Sequence, residues 1–435
     1  MYYELFCIFA TEMRKLLTLI LTMMALCSHA ADTDGDTARH VGFTVYAYPQ
    51  WQIAMDEYER QWLCDKRAFA VGVELNYRAL PSDSDAFARD YNYPTLSVGA
   101  KLALNNGVTM RRTGSWGKAV MVDYDSRLGD IFTLYGSFER PLLRTRRWEL
   151  NYMLRAGVGY SPFIYNKTDN IDNELIGSAF NIYFGAGVTA SYQLTDNLAL
   201  VAGLLYGHHS NGALARPNKG ENHWGPMVGI RSGLTPHPLQ KERGPQKTSP
   251  NGGRMEGAGL YLDFRLGIGG KTLLEDWQRT QFNTDPMEPD YRTEDFHFYM
   301  SYSASAALMY RYARRWASGI GADVYYGTYY KHIRDLEAQQ SLPNTHVSPW
   351  SVGISARHEV YYHNLSLDMA LGIYLHREMG TNAKEVEQPY YERIGVFYTF
   401  PKLGHIKVGA SVQAHRTKAD LTEIMVSLPI QITSR

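Results

Sequence analysis

Beyond Ala30, segments in which apolar and polar side chains alternate with a period of two recur along the chain. In AFAVGVELNYRAL (68–80), Phe69, Val71, Val73, Leu75 and Tyr77 share one face, and Ala70, Gly72, Glu74 and Asn76 share the other. Similar runs recur near 93–104, 129–138, 147–160, 179–192, 198–210, 222–234, 256–270, 295–311, 316–330, 349–359, 364–377, 388–400, 404–416 and 421–432. Many exceed the five or six residues usual in a soluble sandwich. A tilted strand needs roughly 9–11 residues to cross a bilayer, with an apolar face outward and polar or small residues inward. The pattern therefore predicts an all-β, antiparallel transmembrane barrel with an even number of strands. Counting 41–49 gives sixteen, and omitting marginal runs gives fourteen or twelve. A soluble all-β protein with large twisted sheets is the alternative, but its open edges would need cover.

The connections alternate in length. QLTDN (193–197), RRWA (314–317), VYYHN (360–364) and PKLGH (401–405) are short, whereas 161–178, 272–295 and 331–348 are long and polar. Tight periplasmic turns on one rim and larger extracellular loops on the other produce that alternation. Counting back from a periplasmic carboxy terminus places 193–197 on the inner side and 211–221 on the outer side. The segment 235–254, rich in Pro, Gly and basic residues, fits poorly as a periplasmic turn. It could instead separate an eight-strand module from a further set of strands.

One long apolar run, Leu16–Cys27, follows Arg14 and Lys15 and precedes Ser28-His29-Ala30-Ala31. This arrangement predicts a secretory signal over 1–30, cleaved after Ala30, with Met13 an alternative start. The remaining 31–435 is expected to form the barrel and to retain only Cys64, so no internal disulfide is available. Lys+Arg and Asp+Glu are both 44, which removes a whole-chain electrostatic argument for a nucleic-acid partner.

Polar functional side chains are densest in LLYGHHSNGALARPNKGENHWGP (204–226). His208 and Ser210 are two apart at a strand end and emerge on one face, with His209 on the other. An imidazole can take the proton of a neighbouring hydroxyl and make it a nucleophile, provided a third polar group holds the ring in the right tautomer. Asn211-Gly212 offers an amide donor and a conformationally free N–H, the ingredients of an oxyanion hole. Pro217-Asn218-Lys219-Gly220 reverses the chain and lets Asn222 approach His208. Two other readings remain. His208, His209, His223 and Glu221 could bind zinc, although no closed metal-ligand spacing is present, or the histidines could simply be rim or lumen hydrogen-bonders.

HHSNGALARPNKGEN resembles the signature of the PagL-type lipid A 3-O-deacylases, the acyloxyacyl-hydrolase-like outer-membrane esterases, in a larger form of the kind seen in Bacteroidota. The PagL-like region is placed at 68–234. The resemblance implies an outer-membrane serine esterase that needs no cofactor and removes an ester-linked 3-hydroxyacyl chain from lipid A of lipopolysaccharide in the outer leaflet. His208 would be the base, Ser210 the nucleophile, and Asn211 with a backbone N–H near Ala213 the oxyanion donors. The family carries a catalytic Glu twelve residues after the Ser; here Asn222 occupies that position and Glu221 stands beside it. Asn222 can orient His208 but brings no full charge. Glu221 is the alternative orienting residue, and a regular strand would turn it away. Arg216 and Lys219 are candidates for lipid A phosphate contact. Partners would be lipopolysaccharide and outer-membrane lipid, with no nucleic acid, as a monomer or homodimer. The competing reading is a non-catalytic channel or scaffold with a degenerate site.

Overall fold

A computed structural model describes residues 40–234, 259–339 and 347–434. The secretion signal at 1–30 and the connection at 235–254 lie outside the described residues. In chain order the strands are β1 (Val41–Gln52), β2 (Leu63–Arg78), β3 (Thr95–Leu104), the short β4 (Val108–Met110) and β5 (Ser126–Arg127), β6 (Ile131–Arg144), β7 (Trp148–Tyr160), β8 (Phe180–Thr195), β9 (Leu198–Ser210) and β10 (Glu221–Ser232). They continue with β11 (Gly259–Thr272), β12 (Phe298–Ala313), β13 (Trp316–Gly327), β14 (Val347–Tyr362), β15 (Leu365–Met379), β16 (Tyr390–Phe400), β17 (Ile406–His415) and β18 (Lys418–Ser434). All pairings are antiparallel.

The even strand count holds, but closure happens twice. β1 pairs with both β2 and β10, closing a first ring of eight long strands with β4 and β5 attached to β2. β11 pairs with both β12 and β18, closing a second ring of eight. The single barrel expected over 31–435 is thus two barrels, and the segment that fitted poorly as a turn connects them. Alternation alone does not show which strands meet at a seam, because every strand of either arrangement has the same period.

Each barrel is turned inside out relative to a soluble protein. On β6, Ile131, Thr133, Tyr135, Ser137 and Glu139 are buried, whereas Phe132 and Leu134 are exposed. On β2, Glu74 and Asn76 are buried and Leu75 and Tyr77 exposed, which matches the facing read from the sequence. The inward polar groups pair with each other, because charge removed from water must be compensated. In the first barrel Arg155 donates to Glu74 at 2.6 Å, and Tyr135 OH donates to the same carboxylate at 3.0 Å. In the second, Arg265 bridges Asp263 and Asp368, Arg357 and Arg393 converge on Asp323, and Lys407 meets Glu359. Outward aromatic pairs, Trp51 with Trp224 and Trp148 with Tyr192, sit towards opposite ends of the first barrel, as expected of interface belts.

The connections 145–147, 196–197, 314–315 and 363–364 are tight and share one rim; those carrying α1 (Glu57–Arg60), β4 and β5, residues 161–179 and α3 (Leu274–Gln278) are on the other. A further helix, α2 (Ala86–Asp90), lies on the tight-turn rim between β2 and β3. The barrels touch at both rims. On the tight-turn side Tyr91 OH donates to Tyr361 O at 2.9 Å, and Phe87 packs on His363. On the loop side Arg292 of the second barrel pairs with Asp172 of the first at 3.0 Å.

Candidate active site

The site follows from the register of β9 against β10. His208 faces Asn222, and His209 faces Glu221. With two-residue alternation, Tyr206, His208, Ser210, Asn222 and Trp224 belong to the outward face, and His209, Glu221 and His223 to the lumen. His208 Nδ1 lies 2.8 Å from Asn222 Oδ1, and Tyr206 OH donates to the same oxygen at 2.8 Å. Asn222 Nδ2 donates to Gly220 O at 3.1 Å, which fixes which end of the amide meets the ring. An amide oxygen can only accept, so the His208 proton is on Nδ1 and Nε2 presents its lone pair. Gly220, at φ +80°, lies against this ring: a Cβ there would come within 2.6 Å of His208 Cε1.

Ser210 ends β9 and is bound by the loop that follows it. Its hydroxyl donates to Asn218 Oδ1 at 3.1 Å and accepts from the Gly212 N–H at 3.2 Å. Asn218 Oδ1 also takes the Asn211 N–H at 3.0 Å. His208 and Ser210 are therefore on one face, but among the described residues the serine hydrogen bond goes to Asn218 rather than to His208. In the sequence Asn218 is marked only as part of a chain reversal. Asn211 turns its side chain back onto the Ala215 backbone, with contacts of 3.2 and 3.4 Å, so its amide is engaged within the loop. Ala213 is buried with φ +71°, and no group among the described residues takes its N–H.

Glu221 is turned away from His208. Its carboxylate accepts from His209 Nδ1 and His223 Nδ1, both at 2.6 Å, and from Gln52 at 2.7 Å. The zinc grouping fails to assemble as a set of four, because His208 lies on the opposite face of the sheet. His209, Glu221 and His223 do converge, but Lys101 Nζ stands 3.4 Å from His223 Nε2. A cation beside the cluster suits a hydrogen-bonded ion network better than a divalent metal. Arg216 and Lys219 are also already engaged. Arg216 donates to Thr272 O at 3.0 and 3.2 Å, and Lys219 pairs with Asp56 at 2.6 Å. Burial of Asp56 works against its ionisation, but Lys219 and the Glu59 N–H outweigh it and hold the carboxyl below its ordinary value.

The family model described as lipid A 3-O-deacylase (PagL) matches residues 90–231, and that of the acyloxyacyl hydrolase C-terminal domain matches residues 260–431. The chain belongs to the PagL family. Together the two matches cover most of the chain and fall one on each barrel. This lipid A 3-O-deacylase is accordingly a hydrolase of the outer membrane with lipid A as its substrate class. Among solved structures, Neisserial surface protein A is 13% identical over 44% of this chain and 97% of its own, with a TM-score of 0.25. The TodX deltaS2S3 mutant monoaromatic hydrocarbon channel is 10% identical over 91% of each chain, with a TM-score of 0.17. The siderophore receptor PirA from Pseudomonas aeruginosa is 11% identical over 92% of this chain and 82% of its own, with a TM-score of 0.19. No curated protein sequence matches the chain significantly.

Proposed function

We propose that this deacylase is a serine esterase that cleaves the ester-linked 3-hydroxyacyl chain of lipid A at the outer leaflet, using Ser210, His208 and Asn222. The observation that carries the proposal is the His208 Nδ1–Asn222 Oδ1 contact of 2.8 Å on the same outward face as Ser210. Around it the outward surface is apolar, with Ile182, Phe184, Leu204 and Trp224 exposed. That surface suits an acyl chain entering sideways from lipid.

In the proposed cycle Ser210 exchanges Asn218 for His208 Nε2, since hydrogen bonds between catalytic groups tighten when substrate is seated. Ser210 Oγ attacks the ester carbonyl carbon, and its proton moves to Nε2. The carbonyl π pair becomes an oxyanion, stabilised by the Ala213 N–H and by Asn218 Nδ2 on the carboxamide that already touches Ser210. Collapse breaks the ester C–O bond, and the sugar oxygen leaves with the proton from His208. Water then attacks the acyl-serine with His208 again as base, releasing the 3-hydroxy fatty acid and restoring Ser210. Asn222 holds the tautomer, and Tyr206 polarises the amide oxygen that replaces the family's carboxylate.

A long-chain alkyl fluorophosphonate tests the nucleophile. It should form an adduct on the peptide containing Ser210 in the folded wild type and react far more slowly with folded His208→Ala. Labelling elsewhere, with Ser210 unmodified, contradicts the assignment.

A further inference from the structure

The loop that would form the oxyanion hole is held by the other barrel. Thr422 Oγ1 of β18 donates to Gly212 O at 2.7 Å. Thr272, the last residue of β11, donates to Ala213 O from its backbone N–H at 2.8 Å and from its hydroxyl at 3.1 Å. Arg216 returns the contact by donating to Thr272 O. Both Gly212 (φ +65°) and Ala213 (φ +71°) are left-handed. For alanine that conformation costs on the order of 1 kcal/mol or more, so the loop needs outside contacts to keep it. Gly212 has no room for a side chain, because a Cβ there would be 2.1 Å from Thr422 Oγ1.

The direction of these bonds matters. In a trans peptide the C=O and N–H point opposite ways. Pinning Gly212 O onto Thr422 therefore turns the Ala213 N–H away from the second barrel, to the side on which Gly212 N–H already meets Ser210 Oγ. We infer that the C-terminal barrel is a working part of the active site: Thr422, supported by Thr272, is a positioning residue that orients the Ala213 N–H for the oxyanion formed at Ser210. The inference rests on the serine-esterase reading above. It gives the second barrel a role in turnover in addition to its membrane packing.

The experiment compares steady-state fatty-acid release from purified lipid A by full-length wild type, Thr422→Val, Thr422→Ser and Ser210→Ala. Each is checked for folding by heat-modifiable gel mobility and circular dichroism. Valine keeps the shape of threonine but cannot donate, and serine keeps the hydroxyl. T422V should lower kcat by roughly tenfold with KM little changed, because an oxyanion donor acts in the transition state. T422S should recover most of the loss, which a purely packing role would not give. Full kcat in T422V, an equal loss in T422S, a loss confined to KM, or failure of T422V to fold would each overturn the inference. Undiminished release by S210A would instead overturn the nucleophile assignment, so the two failures are separable.

Discussion

In the proposed triad Asn222 stands where the resembled family carries a carboxylate, and its hydrogen bonds support an amide in that role. Its oxygen receives both His208 Nδ1 and Tyr206 OH, while its nitrogen is tied to Gly220 O. The ring is thus held in the base-competent tautomer without a negative charge. Removing the Tyr206 hydroxyl in Tyr206→Phe deletes one neutral hydrogen bond, worth about 1 kcal/mol, so kcat should fall roughly fivefold with KM nearly unchanged. Asn222→Ala loses tautomer control and should cost on the order of a hundredfold or more in kcat. Glu221→Gln, by contrast, should leave turnover per folded molecule within about twofold, because Glu221 acts in the lumen, and should lower thermal stability by about 1–3 kcal/mol as charge-assisted bonds to His209 and His223 are weakened. A Glu221 variant that folds normally yet loses as much kcat as N222A would contradict the two-face arrangement. The facing of His208, Asn222 and Glu221 was legible in the sequence, because alternation in a strand fixes which side each residue takes. The Asn218 contact to Ser210 and the engagement of Arg216 with Thr272 were not, because an irregular loop has no period and a partner 56 residues away leaves no local signal.

At the scale of elements, the loop rim is a set of short caps locked together by buried ion pairs. Asp56 caps α1 by accepting the Glu59 N–H at 2.8 Å and also binds Lys219, joining the β1–β2 connection to the loop between β9 and β10. Glu59 is buried beneath this cap, where burial pushes its carboxyl up to about 7 although the Met55 N–H bond opposes the shift. The folded state therefore binds the Glu59 proton more tightly than the unfolded chain does. The stabilisation this provides is complete below about pH 4.5 and is lost as pH rises through about 7. Hydrogen exchange of amides 53–62 should accelerate between pH 5 and 8, after correction for intrinsic rates, by an amount equivalent to at most roughly 3 kcal/mol. Glu59→Gln should flatten the dependence; an unchanged slope in E59Q would assign it to another group. Strand lengths and the alternation of tight turns with long loops were readable in advance, because both are local. The ion pairs that tie loops together, such as Arg112 with Asp172 at 3.3 Å, join segments that only the closed fold brings together.

For the whole molecule, the sequence carried the fold class and the even number of strands but not the division into two rings. Strand β1 closes on β10 rather than on β18, a choice made by long-range register that no single strand encodes. The awkward composition of 235–254 was the one local mark of the division. With two closed, ion-paired interiors, the proposed chemistry falls on the outer surface of the first barrel and on the rim it shares with the second. Whether Ser210 is the nucleophile of lipid A deacylation is read from the 3-hydroxy fatty acid released from purified lipid A by wild type and by Ser210→Ala, both shown to be folded by heat-modifiable mobility. Loss of one rim hydroxyl should leave the barrels intact and lower release by about a thousandfold or more, since His208 then has no serine hydroxyl to activate. Release by folded S210A at the wild-type rate would contradict the account.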